Sequence, residues 1–232
     1  MKMNNTNMAR KLEVLFEDNH LIAVNKLSGD IVQGDKTGDK PLNEIVASYL
    51  KQKYDKPGDA FIGTIHRIDR PVTGVVLFAK TSKALARMNA QFQDKQVQKT
   101  YWAVVKNHPP KEVEEITHHL LRNRQKNKSF AYAHKYKDSK ESSLKYEVLK
   151  KLDRYFLLEI TPYTGRHHQI RVQLSTIGSS IKGDVKYGFD RTNKDASIHL
   201  HARNIQFIHP VTKELIEITA PTPDEVIWNA CS

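Results

Sequence analysis

A chain of 232 residues and 26.7 kDa can bury a substantial core as one large domain or two small ones. Its 39% hydrophobic and 8% aromatic content excludes global disorder. The excess of 37 Lys and Arg over 26 Asp and Glu leaves a net charge of +11, which draws polyanions, nucleic acid first among them.

The single cysteine, Cys231, rules out an intramolecular disulfide and a cysteine-based zinc site, and it fits a reducing cytoplasm. Residues 1–10 (MKMNNTNMAR) are polar, lack the apolar run of a signal peptide and predict a flexible N-terminus. Apolar runs reach about six residues, far short of the ~20 that cross a bilayer. The expectation is a soluble, cytoplasmic protein with no membrane partner, its single domain occupying residues 11–232. No exposed apolar seam stands out, so a monomer is expected.

Leu12 to Phe16 and Leu21 to Val24 predict two strands, with Glu17-Asp18-Asn19 as the turn between them. Gly29 to Asp39 is a Gly- and Asp-rich loop. Pro41 suits the first turn of a helix whose Leu42, Ile45, Val46 and Tyr49 form a 3.6-residue stripe. After a polar loop over Lys51 to Asp59, Phe61 to Ile65 predicts a short strand. Gly74 to Ala79 (GVVLFA) has the continuous apolar run of a strand buried on both faces. Ser82 is the expected N-cap of a helix carrying Leu85, Met88 and Phe92, and Tyr101 to Val105 is the next strand.

Arg122 to Lys151 holds ten Lys and Arg against three Asp and Glu, a local charge of 10 − 3 = +7. Its apolar residues keep no sustained period, which predicts a loop or a protruding hairpin. Leu144 to Leu149 and Tyr155 to Ile160 alternate like a strand pair around Asp153-Arg154. Thr164-Gly165-Arg166 opens a helical segment with Ile170, Val172 and Leu174. Ile198 to Ile208 and Leu215 to Ile218 complete the strands around the turn His209-Pro210-Val211-Thr212. The order implies an α+β fold on a mixed sheet.

Polar residues concentrate in three segments within apolar surroundings. Asp69 lies between Arg67 and Arg70 just before a buried run, and a carboxylate among guanidinium groups favours the charged form that a nucleophile or base needs. Tyr101 lies two residues after Lys99. Arg166, His167, His168, Gln169 and Arg171 follow Gly165 in one short stretch.

Together these segments resemble the RluA-type RNA pseudouridine synthases. The family's H-R-L-D-x-x-[ST]-S-G is met by His66-Arg67-Ile68-Asp69-Arg70-Pro71-Val72-Thr73-Gly74, and K-x-Y-x-A-x-V by Lys99-Thr100-Tyr101-Trp102-Ala103-Val104-Val105. G-R-x-H-Q-I-R is met by Gly165 to Arg171, G-D-x-x-Y-G by Gly183 to Gly188, and H-P-x-T by His209 to Thr212. The resemblance runs from about Val14 to Pro221. Departures are Leu27 in the early N-K-P-x-G segment, Gln33 where histidine is usual, Thr73 for serine, His167 for threonine, and Ser180 for proline. None of these touches the acid, the aromatic ring or the expected arginine.

The resemblance implies a pseudouridine synthase-like fold, a mixed, mostly antiparallel central sheet flanked by helices and loops, with a central active-site cleft. It implies a stand-alone catalytic domain without the S4 RNA-binding module. The activity implied is isomerisation of uridine in ribosomal or transfer RNA, with the RNA stem-loop as partner. Asp69 would be the catalytic carboxylate, Tyr101 would stack on the target uracil, and Arg166 would pair with Asp69. His66, Arg67, Arg70, Lys99, His168, Gln169 and Arg171 would contact the RNA with its base out of the stack, joined by Arg122 and Arg124. A net isomerisation implies no redox cofactor, nucleotide or metal.

Plainer readings exist for each residue. Asp69 could be a structural ion-pair acid, Tyr101 a core aromatic, and Arg166 and Arg171 a helix surface. The pairs His118-His119, His167-His168 and His199-x-His201 invite a metal site, but no H-E-x-x-H and no Cys ligand accompany them. Two other functions compete with the synthase. One is a non-catalytic RNA-binding or ribosome-assembly protein on the same fold. The other is a hydrolase with Asp69 as a glycosidase-type carboxylate, for which Asp184 is left open as the second acid.

Overall fold

In the computed structural model, residues 12–35, 38–55 and 57–231 are described, so the expected flexible stretch over residues 1–10 lies outside them. Among the described residues eleven strands join in one sheet. They are β1 (Val14–Glu17), β2 (Leu21–Lys26), β3 (Gly63–Thr64), β4 (Thr73–Ala79), β5 (Gln98–Val105), β6 (Val113–Asn123), β7 (Lys128–Tyr132), β8 (Lys140–Lys151), β9 (Phe156–Pro162), β10 (Leu200–Ile208) and β11 (Leu215–Thr219). Spatial order is β1-β2-β4-β10-β5-β9-β8-β6-β7, with β3 on β4 and β11 on β10. Only the β4–β10 pairing is parallel. The sheet is therefore mixed and mostly antiparallel, as expected.

Every residue of β2 and β4 is buried, which is why their apolar runs do not alternate. Gly74 is needed where β4 meets β10: its φ is +114°, and a Cβ there would collide with the Ala202 backbone. Helix α1 (Leu42–Lys53) buries Leu42, Val46 and Leu50, and Pro41 is its N-cap. It continues three residues, Lys51 to Lys53, into the stretch expected as a loop. Helix α2 (Ser82–Gln93) buries Ala84 and Met88. Its cap is Thr81 rather than Ser82, with the threonine Oγ1 accepting the Ala84 N–H at 3.1 Å.

The basic stretch is not a loop. Arg122 to Lys151 contributes the end of β6, all of β7 and all of β8, three neighbouring strands of the sheet. Its period of two was concealed by polar residues in core positions. Ser142, Leu144 and Tyr146 are the buried set of β8, and on β6 His118 stands between buried Ile116 and Leu120. A hairpin does exist, with residues 124–127 joining β6 to β7.

Helix α3 (Gln169–Thr176) packs on β6 and β7 and begins three residues after Arg166. Six consecutive residues, Gln169 to Leu174, are buried, so no apolar stripe could mark its inner face. Gln173 is fully buried and donates to the Ile116 and Ser142 carbonyls, tying the helix to β6 and β8. The short α4 (Val226–Asn229) seats Trp228 against His199 and His201 of the β10 region.

Candidate active site

Asp69 sits on the connection between β3 and β4, and a buried lysine shapes that connection. Lys26, 0% exposed at the end of β2, donates from Nζ to the carbonyls of Val72 (2.7 Å), Leu27 (2.9 Å) and Arg70 (3.0 Å). The Gly29 N–H also donates to the Arg70 carbonyl at 3.0 Å, and the Val72 N–H closes a turn on the Asp69 carbonyl. An ammonium that grips the carbonyls one and three residues beyond Asp69 fixes the backbone that carries the acid.

The side chain of Asp69 is 28% exposed, and its Oδ2 accepts from Nη1 of Arg171 at 2.9 Å. Arg171 is 5% exposed and bridges two carboxylates. Its Nε and Nη2 reach Asp184 Oδ2 and Oδ1 at 2.7 and 2.9 Å. Burial works against the guanidinium charge, but the hydrogen bonds and charges of Asp184 and Asp69 outweigh it and raise its pKa. Asp184 is 1% exposed with both oxygens taken by Arg171, which removes it as a second acid on a substrate.

Two histidines at the start of α3 complete one wall. His168, at the N-cap, has a left-handed backbone (φ 55°, ψ 26°) and brings Nε2 to 3.6 Å from Asp69 Oδ2. Its Nδ1 lies 2.8 Å from the Tyr187 hydroxyl. His167 stacks on it at 3.7 Å, with Nδ1 on Ser129 Oγ and Nε2 on Asn127 Oδ1. Burial is the main cause that lowers the pKa of His168 to about 3 and of His167 to about 4, so both are neutral at pH 7.

Tyr101, on β5, is flanked by Ala202 of β10 and Ile160 of β9 at the middle of the sheet. Burial first, and the Asp69 charge second, push its hydroxyl above the ordinary tyrosine range, so a neutral phenol lies within reach of that carboxylate's field. The neighbouring Trp102 points to the opposite face, where a polar groove with Arg203 and Glu159 lies outside the Asp69 site. On the Tyr101 side a narrow crevice is lined by His66, Lys99 and Tyr101.

The expected residues thus fall into three sets. Asp69, Tyr101, His168 and Arg171 converge. Arg166 does not join them: it is exposed, makes no ion pair among the described residues, and is engaged through its backbone, its N–H donating to Gln169 Oε1 and its carbonyl accepting the Gln169 N–H. The arginine on Asp69 is the one five residues later, because helix α3 starts after Arg166 and turns position 171 inward. His168 and Arg171 accordingly face the carboxylate.

His66 and Gln169 form the second set, engaged by hydrogen bonds within the protein. The His66 Nε2 accepts the Leu77 N–H at 3.0 Å and its ring stacks on Phe92. Burial, with the Lys99 charge beside it, lowers its pKa to about 3. Gln169 accepts from Thr164 Oγ1 and the Arg166 N–H and donates to the Ser143 carbonyl. The third set stays outward. Arg67, Arg122 and Arg124 are exposed and Arg70 pairs with Asp39 at 2.5 Å, whereas Lys99 is half-buried in the crevice beside His66 and Tyr101, over the Phe92 ring at 5.6 Å.

Sequence reasoning assigns no role to Lys26, Ser129 or Tyr187. Lys26 and Tyr187 lie in segments that stand out as motifs, whereas nothing in the sequence around Ser129 marks it. Among the described residues no group of three His, Cys, Asp or Glu is placed to hold a metal ion. His199 and His201 share a face, but His201 is held by Thr73 Oγ1 (2.8 Å) and the Ala220 carbonyl, and His199 by Glu225.

The fold falls in the class of the pseudouridine synthases. Human RNA pseudouridylate synthase domain containing 4 superposes with a TM-score of 0.80 at 21% identity, covering 94% of this chain and 92% of that one. The family model described as RNA pseudouridylate synthase matches residues 20–176. This chain belongs to the RNA pseudouridylate synthase family. It is 35% identical over 214 residues to the ribosomal large subunit pseudouridine synthase C of Vibrio cholerae, covering 90% of this chain and 65% of that protein. It is 33% identical over 227 residues to the tRNA pseudouridine synthase C of Haemophilus influenzae, covering 90% and 92% respectively. The chain spans just under two thirds of the ribosomal relative's length.

Proposed function

We propose that the protein is an RNA pseudouridine synthase, an isomerase that converts uridine in ribosomal or transfer RNA to pseudouridine with Asp69 as its catalytic carboxylate. One observation carries this: a partly exposed carboxylate beside Tyr101, with one oxygen anchored by a buried arginine and the other, Oδ1, engaged by no hydrogen bond among the described residues. A charged, oriented, accessible oxygen is what nucleophilic or base catalysis at a glycosidic bond requires.

In the reaction the N1–C1′ bond of the target uridine breaks, the uracil turns, and a C5–C1′ bond forms. C5 loses its proton and N1 gains one, so nothing is consumed. Asp69 drives the bond exchange, and Tyr101 supplies the flat surface on which the uracil stacks. Arg171 keeps Asp69 oriented, with Asp184 holding Arg171 in turn.

The outward arginines Arg67, Arg122, Arg124 and Arg166, with Arg70, Lys99 and Lys128, hold phosphates around a base drawn out of its stack. The 124–127 turn is tied to the site, since Lys186 donates to the Asn127 carbonyl at 3.1 Å and His167 meets Asn127 Oδ1. Phosphates gripped there lie beside the wall that faces Asp69. The stacked pair Tyr132 and Tyr136, 4.7 Å apart, offers a further platform for unpaired bases. A monomeric enzyme whose residues 11–232 form one domain, working in the cytoplasm, suits this role.

The test is to incubate purified protein with in vitro transcribed large-subunit rRNA and tRNA, digest to nucleosides, and quantify pseudouridine and free uracil. Pseudouridine without free uracil is expected. Free uracil would favour a hydrolase, and binding without either product would favour the non-catalytic RNA-binding protein.

A further inference from the structure

We propose that His168 is a second positioning residue for Asp69, locked by Tyr187 in the tautomer that carries its proton on Nε2, so that Arg171 and His168 together hold Oδ2 and Oδ1 is the reacting oxygen. The inference rests on the reading of Asp69 as the catalytic acid. It deepens that reading by assigning work to the two carboxylate oxygens and to a tyrosine that does not touch Asp69.

The hydrogen bonds at Tyr187 lead to the tautomer. The tyrosine is 3% exposed, and its hydroxyl has two partners among the described residues, the Ser129 backbone N–H and His168 Nδ1, each at 2.8 Å. A backbone N–H can only donate, so the phenol oxygen accepts from Ser129. The phenol's own proton then needs an acceptor, and a buried hydroxyl proton without one is costly. His168 Nδ1 is the acceptor at hand, which leaves it bare and puts the imidazole proton on Nε2.

That proton points the right way. Nε2 lies 3.6 Å from Asp69 Oδ2, the same oxygen that Nη1 of Arg171 holds at 2.9 Å. The opposite tautomer would set a nitrogen lone pair against a carboxylate. At 3.6 Å the contact exceeds hydrogen-bond length, and a substrate that seats the carboxylate would tighten it.

The groups facing His168 keep it a neutral donor. Burial, the largest cause, opposes the imidazolium together with Arg171, the stacked His167 and Lys186, and Asp69 alone favours it. The left-handed backbone at His168 presents both ring nitrogens, one to Tyr187 and one to Asp69. Two cations lie over the Tyr187 ring in turn, the Lys128 ammonium at 5.2 Å and the Arg171 guanidinium at 5.1 Å from its centroid. Ser129 and Lys128 belong to β7, so the basic hairpin reaches the catalytic acid through Tyr187 and His168.

The test has two readouts. Protein labelled with ¹⁵N-histidine is examined at pH 7 by long-range ¹H–¹⁵N correlation, with the His168→Gln variant assigning the His168 signals. Bare Nδ1 and protonated Nε2 are expected, with the preference weakened in Tyr187→Phe, where only Asp69 still favours it. Protonated Nδ1 or a doubly protonated ring in the wild type would overturn the proposal.

The second readout is single-turnover pseudouridine formation in an rRNA or tRNA transcript that the wild type modifies. Tyr187→Phe should slow the step about tenfold with little change in RNA affinity. His168→Phe should slow it further, and His168→Gln, which keeps a donor, should recover part of the loss. Wild-type rates in both Tyr187→Phe and His168→Phe would also overturn it. A wild type inactive on every transcript would count against the function while leaving the tautomer decided by the first readout.

Discussion

Replacing Arg171 by methionine should separate what this residue does for the fold from what it does for chemistry. The substitution keeps an unbranched, buried-compatible side chain but leaves Asp184, 1% exposed, with neither of its two charge-assisted hydrogen bonds. Opposite unit charges ~4 Å apart at an effective dielectric of ~20 attract by about 4 kcal/mol. Orphaning one partner of a buried pair costs roughly 3–5 kcal/mol. Both routes give a loss of about 4 kcal/mol, a large share of the ~5–15 kcal/mol that stabilises a domain. Urea unfolding followed by circular dichroism reads this as a lower midpoint at constant slope.

The double variant Arg171→Met/Asp184→Leu removes the stranded charge and should return to within about 2 kcal/mol of wild type. Asp69 has lost its anchor in both variants, so pseudouridine formation should be down about 10²-fold in each. A folded but inactive double variant is thus the signature. A single variant less than about 1 kcal/mol below wild type, or a double variant no more stable than the single, would refute the buried-pair reasoning.

Other perturbations follow from the same contacts. Lys26→Met leaves three carbonyls without their ammonium, two of them (Arg70 and Val72) in the Asp69 connection, and should cost about 3 kcal/mol in urea unfolding, with turnover falling as the connection loosens. A variant as stable and active as wild type would show that the lysine holds nothing. His201 is fully buried, and burial, partly offset by its bond to the Ala220 carbonyl and reinforced by Arg203, lowers its pKa from 6.5 to about 4. The unfolded state then binds the extra proton, so up to about 3 kcal/mol is fully present above pH 6.5 and is lost as pH falls through about 4. His201→Gln should flatten the change in urea midpoint between those pH values, and an unaltered pH dependence would contradict the assignment. Arg122→Ala/Arg124→Ala should weaken RNA binding across sequences and reduce the log–log salt slope by about 2, one for each phosphate no longer neutralised. An unchanged slope would take the hairpin off the RNA.

Legibility in the sequence followed burial. The fully buried β4 and the half-buried α1 announced themselves because their apolar residues are contiguous or spaced by 3.6. β6 and the first half of β8 did not, since His118 and Ser142 occupy positions where an apolar residue would have displayed the period of two; of β8, Leu144 to Leu149 alone alternated visibly. Charge on exposed strand residues masked the rest. Asp69 and Tyr101 stood out through motif and neighbours, but pairing Asp69 with an arginine required knowing where α3 begins. That start is set by a left-handed His168 and a buried Gln169, which leave Arg166 outside and bring Arg171 in. Tyr187 and Ser129 act only through three-dimensional contacts, being 58 positions apart in the chain.

The most direct measurement maps pseudouridine across total RNA from cells with and without the gene, complemented by wild type or by Asp69→Ala. One or more sites in rRNA or tRNA should vanish on deletion and return with wild type but not with Asp69→Ala. Restoration by Asp69→Ala would contradict the catalytic role of that carboxylate. A map unchanged by deletion, together with purified protein inactive on unmodified rRNA and tRNA, would contradict the enzyme itself.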